Sequence, residues 1–204
     1  LFGYVGLYVY SALAVIIGNI QVLKTVDFFY SPEPVALGTV LFASTFLCTD
    51  ILSEHFGKEK ARKNVLIGFA GFLFMTVIML ITIGFKPSAN DWSQDSLANV
   101  FTPMSRFFIA SMIAYLASQY FDVWIYSTIK NITKNRYLWL RNNLSTMASQ
   151  LIDTLIYQFT WVLATDLSFT QAFAISLAKY VLKVFIALID TVFIYWVRNW
   201  EIKT

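Results

Sequence analysis

Long apolar segments alternate with shorter polar ones along the whole chain. Because about 20 apolar residues are needed to cross the hydrocarbon core of a bilayer, we predict a membrane-spanning helix for each long segment. Six segments reach or approach this length, at about 1–22, 35–53, 65–85, 104–129, 144–165 and 172–197. The second is short and ends in polar residues, so an arrangement of five helices that omits it is the alternative. The pattern predicts an all-α, polytopic membrane protein with six transmembrane helices in one domain, 1–204.

The composition supports lipid as the surrounding solvent. Of the 204 residues, 58% are hydrophobic and 13% are charged, whereas a typical soluble domain is roughly half apolar and about a quarter charged. The formal net charge of +3 is too small to indicate a nucleic-acid partner. His55 is the sole histidine, which excludes a multi-histidine metal site, and we expect no metal and no cofactor.

Lysine and arginine residues concentrate on alternate connections between the predicted helices. They lie in the second and fourth connections and in the C-terminal tail: Lys58, Lys60, Arg62 and Lys63; Lys130, Lys134, Arg136 and Arg141; Arg198 and Lys203. Basic loops stay on the cytoplasmic side of a membrane. With an even number of helices, both termini are therefore predicted to be cytoplasmic.

Two segments of the chain resemble each other. Residues 117–126 and 148–157 are identical at six of ten aligned positions. They fall on consecutive helices, which must run in opposite directions. Inverted repeats around a site near the bilayer midplane are common in secondary transporters. An inverted repeat is one interpretation, and chance similarity between two apolar segments is the other.

Ionisable and amide side chains fall within the predicted helices, where a charge costs about 2.5–3.5 kcal/mol on insertion scales. They are Asp50, Gln119, Asp122, Gln150, Asp153, Lys179, Lys183 and Asp190, with Glu54 one turn beyond Asp50. At about 100° per residue, the polar residues of each helix share one face. We predict that these faces meet in a common interior that binds a solute. The alternative is a salt-bridge network that only holds helices together, for example Asp153 or Asp190 with Lys183.

Several segments together resemble the queuosine precursor transporter family, also described as vitamin uptake transporters. The matching segments are 19–29, 48–58, 139–146 and 179–184, with Arg106 and residues 110–115 between them. The resemblance implies six helices and an importer of 7-deazaguanines, such as preQ0, preQ1 or queuine, in the cell inner membrane. Carried over by motif, it implies functional roles for Asn19, Asp50, Glu54, Gln119, Asp153 and Lys183.

Four functions remain open at this point. The first is a secondary transporter of a 7-deazapurine base, acting alone in the lipid bilayer or as a homodimer. The second is a substrate-binding subunit of the energy-coupling-factor type, which would need a separate ATPase module. The third, a membrane enzyme, is disfavoured because no His-Glu-x-x-His, Gly-x-Ser-x-Gly or Walker A motif occurs. The fourth is a structural assembly protein. We predict a transporter and no enzymatic activity.

Overall fold

The computed structural model of the chain describes residues 2–27, 35–164 and 169–198, with the side chains of some helical residues, such as Lys179, outside the description. In this part the chain forms six α-helices, in the order predicted. They are α1 (Gly3–Gln21), α2 (Thr39–His55), α3 (Lys58–Gly84), α4 (Gln94–Ile132), α5 (Leu138–Ala164) and α6 (Phe169–Arg198). The all-α prediction is confirmed, and each predicted segment corresponds to one helix.

The last four helices begin earlier than the apolar pattern indicates, α3 and α4 by the most. α3 begins at Lys58, because lysine, arginine and alanine favour a helix that continues beyond the apolar segment. α4 begins at Gln94, after a turn in which the Asp91 carboxylate accepts hydrogen bonds from the backbone N–H and the hydroxyl of Ser93. Hydrogen bonding from that N–H lowers the pKa of Asp91, because it stabilises the charged form.

The connection between α1 and α2 contains a short strand pair that the sequence did not predict. Strand β1 (Thr25–Val26) pairs antiparallel with β2 (Val35–Ala36). The predicted second helix therefore begins later, at Thr39, because its first residues belong to β2. Gly38 follows the strand and lies against the carbonyl oxygen of Gly18, where a Cβ atom would overlap the backbone. This close approach fixes the end of α1 against the start of α2.

The short second helix lies at the centre of the fold. α2 packs against α1, α3, α4 and α6, while α1, α3, α4, α5 and α6 follow one another around it. Ten of its 17 residues are buried, among them several threonines and Asp50. Because the other helices shield α2 from its surroundings, it does not need the continuous apolar sequence that a lipid-facing helix requires. Its polar end, which made it the weakest predicted span, is thus explained.

The described part of the chain is polar inside and apolar outside. Of its buried side chains, 22 are polar or charged and 18 are apolar, while large apolar side chains cover the outward faces of α3 and α6. Three helical stretches are long and apolar enough to cross a membrane: Gly3–Gln21, Lys58–Gly84 and Tyr180–Arg198. Among the described residues, no such stretch is found in α2, α4 or α5, which contribute most of the polar interior.

Candidate functional site

Two buried carboxyl groups meet at the contact between α2 and α4. Asp50 and Asp122, here called the carboxyl pair, are fully buried and lie beside each other, close enough to interact electrostatically. Hydroxyl groups surround them. Thr146 donates to Asp50 Oδ2 at 3.2 Å, Ser149 donates to Asp122 Oδ1 at 3.0 Å, and Thr49 donates to Asp122 Oδ2 at 3.4 Å. The predicted meeting of Asp50 and Asp122 in one interior is therefore present.

Gln119, one turn before Asp122 on α4, has its side-chain amide occupied by α2. Its Nε2 donates to Thr45 Oγ1 at 2.7 Å, and its Oε1 accepts from Thr49 Oγ1 at 3.2 Å. Both hydrogen-bonding groups of the amide therefore have partners on α2. Gln119 joins α4 to the central helix and has little remaining capacity for a ligand.

Gln150 has the opposite environment. Its side chain is only 1% exposed, yet neither Nε2 nor Oε1 has a hydrogen-bond partner. It lies on the same face of α5 as Thr146, one turn before it, and Thr154, one turn after it. Four residues of helix rise about 6 Å. Gln150 therefore lies midway between the carboxyl pair, which Thr146 contacts, and the groups around Thr154.

An ion pair stands at the other end of this face. Lys183 on α6 donates to Asp153 Oδ2 at 2.6 Å and to Thr154 Oγ1 at 3.2 Å. The pairing of Asp153 with Lys183 that the sequence suggested is present. Both side chains keep partial exposure, 25% for Asp153 and 13% for Lys183.

Asp190 on α6 is not paired with Lys183 among the described contacts. Its carboxyl is buried, its Oδ2 has no hydrogen-bond partner, and it is close enough to Asp50 to act on it electrostatically. Its neighbour Thr191 instead accepts hydrogen bonds from Asn143 at 2.8 Å and Asn142 at 3.4 Å, which join α5 to α6. Asp190 thus places a third carboxyl group in the interior, and among the described contacts no cation pairs with it.

Glu54 belongs to a separate group of charges near the end of α2, here called the ion cluster. It forms ion pairs with Arg141 and with Lys130, the latter at 3.3 Å, and it accepts a hydrogen bond from Tyr126 at 3.0 Å. Lys130 also donates to the backbone carbonyl of Ser53 at 3.1 Å. Both carboxylate oxygens of Glu54 are therefore bonded to side chains of the protein.

Two predicted site residues remain, Asn19 and Lys179. Asn19 is buried, and its amide donates to the carbonyl of Val15 in its own helix at 2.8 Å. The side chain of Lys179 lies outside the described residues.

Sequence reasoning missed several residues that the structure places in the polar interior. Arg141 was assigned to a loop, yet it is fully buried and donates to Glu54. Helical phase offered a signal, since Arg141 shares one face of α5 with Ser145 and Ser149. Tyr126 had no comparable signal, because an aromatic residue in an apolar helix is expected to pack.

The similar segments of α4 and α5 place equivalent residues in different surroundings. Gln119 corresponds to Gln150 and Asp122 to Asp153. The amide of Gln119 has hydrogen-bond partners, whereas that of Gln150 has none. Asp122 lies beside the carboxyl of Asp50, whereas Asp153 pairs with Lys183. The shared spacing therefore does not give the two helices the same role.

Together these groups lie along one side of α5, and we call them the central polar site. It runs along α5 from the carboxyl pair, past the free amide of Gln150, to the ion pair of Asp153 and Lys183. It offers hydrogen-bond acceptors at one end, a donor and an acceptor side by side in the middle, and a cation at the other end. Within the described ranges, no cluster of three or more His, Cys, Asp or Glu residues could hold a metal.

The chain is similar to known membrane transport proteins. Residues 36–197 match a family model described as "Putative vitamin uptake transporter". A relative from Bacillus subtilis named "Probable queuosine precursor transporter" is 40% identical over 157 residues, which cover 76% of this chain and 68% of the relative. A relative of the same name from Haemophilus influenzae is 26% identical over 154 residues, covering 74% of this chain and 63% of that protein. No solved structure matches the chain significantly.

Proposed function

Since the chain belongs to the family of putative vitamin uptake transporters, we propose that it imports a queuosine precursor through the central polar site. The name of the relative from Bacillus subtilis supports this substrate class. The substrate would be a 7-deazaguanine base such as preQ0, preQ1 or queuine. The observation that carries the proposal is Gln150, a buried amide with neither of its polar atoms bonded.

We further propose that all six helices cross the inner membrane, with both termini in the cytoplasm. α1, α3 and the second part of α6 are apolar enough to face lipid directly. α2 crosses at the centre, where neighbouring helices surround it. The outward residues of α4 and α5 are also apolar, for example Ile113, Trp124, Leu151 and Leu155. Their polar residues face inward and line the path of the substrate.

Gln150 would recognise the pyrimidine-ring edge of the base. A 7-deazaguanine presents a ring N–H beside a carbonyl oxygen, and a glutamine amide presents an oxygen beside an NH₂ group. The two edges can form two parallel hydrogen bonds. A buried polar group without a partner costs about 1–3 kcal/mol, so a ligand that supplies both partners removes a penalty present in the empty protein.

The groups at the two ends of the central polar site would read the rest of the base. Asp50 Oδ1 is buried and unpartnered, and it can accept an N–H from the 2-amino group. Asp153 and Lys183 would bind the substituent on the five-membered ring. The ammonium of preQ1 suits the Asp153 carboxylate, and the nitrile of preQ0 can accept a hydrogen bond from Lys183.

Ligand binding to purified protein tests this assignment. A base that binds the native state raises its melting temperature, by an amount equivalent to about 2.7 kcal/mol at 100 times the Kd. We expect such a shift with preQ0, preQ1 or queuine, and none with a 1-methyl analogue whose ring N–H is blocked. Gln150→Leu should weaken binding by about 10-fold or more, since two hydrogen bonds are lost.

Gln119→Leu is the matched control, because the two glutamines occupy equivalent positions in similar segments. Without ligand, Gln119→Leu should lower the melting temperature, since it removes the two hydrogen bonds that join α4 to Thr45 and Thr49 of α2. Gln150→Leu should leave the melting temperature unchanged or raise it, because it removes an unpartnered buried amide. A Gln150→Leu protein that binds preQ1 as tightly as the unchanged chain would contradict the proposed site.

A further inference from the structure

We propose that the carboxyl pair is a proton-binding site, and that proton entry through it drives import. Asp50 and Asp122 come from two different helices and meet where the polar interior is deepest. The existence of the proton site rests on the geometry of the pair. Its role as the driving ion rests in addition on the proposed transport function.

The closeness of the two side chains favours a proton on one of them. Thr146 and Ser149, neighbours on one face of α5, hold Asp50 and Asp122 side by side. Two like charges at such a distance repel, so one carboxyl of a buried pair without a cation stays protonated. Both groups are fully buried, which deprives them of water that could separate two negative charges. The pair therefore holds one proton and one negative charge in the observed arrangement.

The described basic groups of the interior form ion pairs with carboxylates other than Asp50 and Asp122. Lys183 pairs with Asp153, while Arg141 and Lys130 pair with Glu54. The pair thus has none of these cations as a counter-ion, and a proton is the positive charge that fits between its oxygens.

The titratable groups that face the pair add negative charge or none. Asp190 faces it from α6 with a buried and unpartnered Oδ2, and Tyr126 is its neighbour from α4. α5 presents only hydroxyls to it, those of Ser145, Thr146 and Ser149. The polar groups of α1 and α3 on this side are also neutral. Asn64 of α3 donates to Ser11 of α1, and Ser11 interacts with Cys48, which lies beside the pair on α2.

The unpartnered Asp190 carboxyl and the unpartnered Asp50 Oδ1 both indicate a site that is incomplete in this state. Hydroxyl groups donate and accept equally well, so Ser149 and Thr146 can rotate to solvate the pair with or without its proton. The surroundings therefore tolerate both states, as a site that loads and unloads a proton requires.

A short series of polar groups leads from the pair to the end of the helices. Glu54 lies one turn beyond Asp50 on α2, and Tyr126 lies one turn beyond Asp122 on α4. The Tyr126 hydroxyl donates to Glu54 at 3.0 Å, and the Glu54 side chain keeps 12% exposure. The Tyr126 hydroxyl thus connects α4 to the ion cluster on the partly exposed side of the pair.

Infrared spectroscopy of the purified chain tests the proton directly, whether or not the protein transports anything. A protonated carboxylic acid has a C=O stretching band that a carboxylate lacks. We use Asp190→Asn as the background, so that the other buried carboxyl of the interior does not contribute. We expect such a band in this protein near neutral pH, lost on adding Asp122→Asn and kept on adding Asp153→Asn, whose carboxylate pairs with Lys183. Asp122→Glu, which keeps a carboxyl group, should retain it. A spectrum of the unchanged chain with no protonated-acid band would overturn the proposal.

Transport in liposomes tests the coupling, with exchange as the internal control. Exchange of labelled for unlabelled preQ1 needs no gradient, so it reports the proposed transport function alone. We expect a pH gradient, acidic outside, to drive net accumulation without sodium, and Asp122→Asn to abolish that accumulation. Exchange without any response to the pH gradient would overturn proton coupling and leave the transport function standing. Accumulation that requires a sodium gradient would overturn it too.

Discussion

Replacing Glu54 by glutamine would leave the guanidinium of Arg141 buried without a carboxylate. Arg141 is fully buried, and its other partners are neutral, the hydroxyl of Tyr126 at 3.4 Å and the carbonyl of Arg136 at 3.2 Å. Breaking a buried ion pair from one side costs about 3–5 kcal/mol. Because the Glu54 side chain keeps 12% exposure, water reaches this end, and we expect the lower value of about 3 kcal/mol.

Thermal unfolding of the detergent-purified protein measures this loss. For a chain of this size, about 3 kcal/mol corresponds to a fall in melting temperature on the order of 6–12 °C. Glu59→Gln is the matched control, because Glu59 makes the same kind of pair with Arg62 at 3.4 Å but is 79% exposed. Its effect should stay within about 0.5 kcal/mol. Equal melting temperatures for the two variants would refute the view that the ion cluster stabilises the fold.

A double variant separates the pair from the rest of the cluster. Arg141→Met alone should cost less than Glu54→Gln, because Lys130 still lies 3.3 Å from the Glu54 carboxylate. Glu54→Gln combined with Arg141→Met should be less destabilising than the sum of the two, by about 0.5–3 kcal/mol. Strict additivity would show that the two groups do not stabilise each other.

Two further pairs of variants test contacts in the interior. Gly68→Ala would place a Cβ atom against the Tyr115 hydroxyl and should destabilise by about 1–3 kcal/mol. Tyr115→Phe should rescue it, and Gly71→Ala, whose Cβ would meet only ordinary contacts, should be neutral. On α6, Asp190→Asn should raise the melting temperature because it removes an unpartnered buried carboxyl. Thr191→Val should lower it by about 1 kcal/mol, since two asparagine amides lose their acceptor. Thermal unfolding checks all five substitutions. A stabilising Gly68→Ala or a destabilising Asp190→Asn would contradict the described packing.

The helices and their order could be predicted because the apolar segments report length and periodicity directly. The same information supported α2 only weakly, because its sequence is polar. That sequence is possible because α1, α3, α4 and α6 pack against it. Whether a helix lies at the centre of a fold depends on how the helices pack with one another. The hydropathy of a single segment does not report this position. The start of α5 shows the related error: the span was drawn from residue 144, so Arg141 was assigned to a loop.

Helical phase correctly brought Asp50 and Asp122 to one interior, since each shares a face with other polar residues. It could not assign partners, because partners depend on how far one helix is shifted along another. Gln119 and Gln150 illustrate the limit. Their local sequences are alike, yet one amide is bonded to α2 and the other has no partner.

Uptake into liposomes that contain only the purified chain tests most directly whether the polar interior is a path for the base. With unlabelled preQ1 inside and no nucleotide on either side, labelled preQ1 should enter by exchange, reach saturation, and fail to enter through Gln150→Leu. Label that binds to the protein but never reaches the vesicle interior would contradict the account. That result would instead favour a binding subunit that depends on a separate ATPase module.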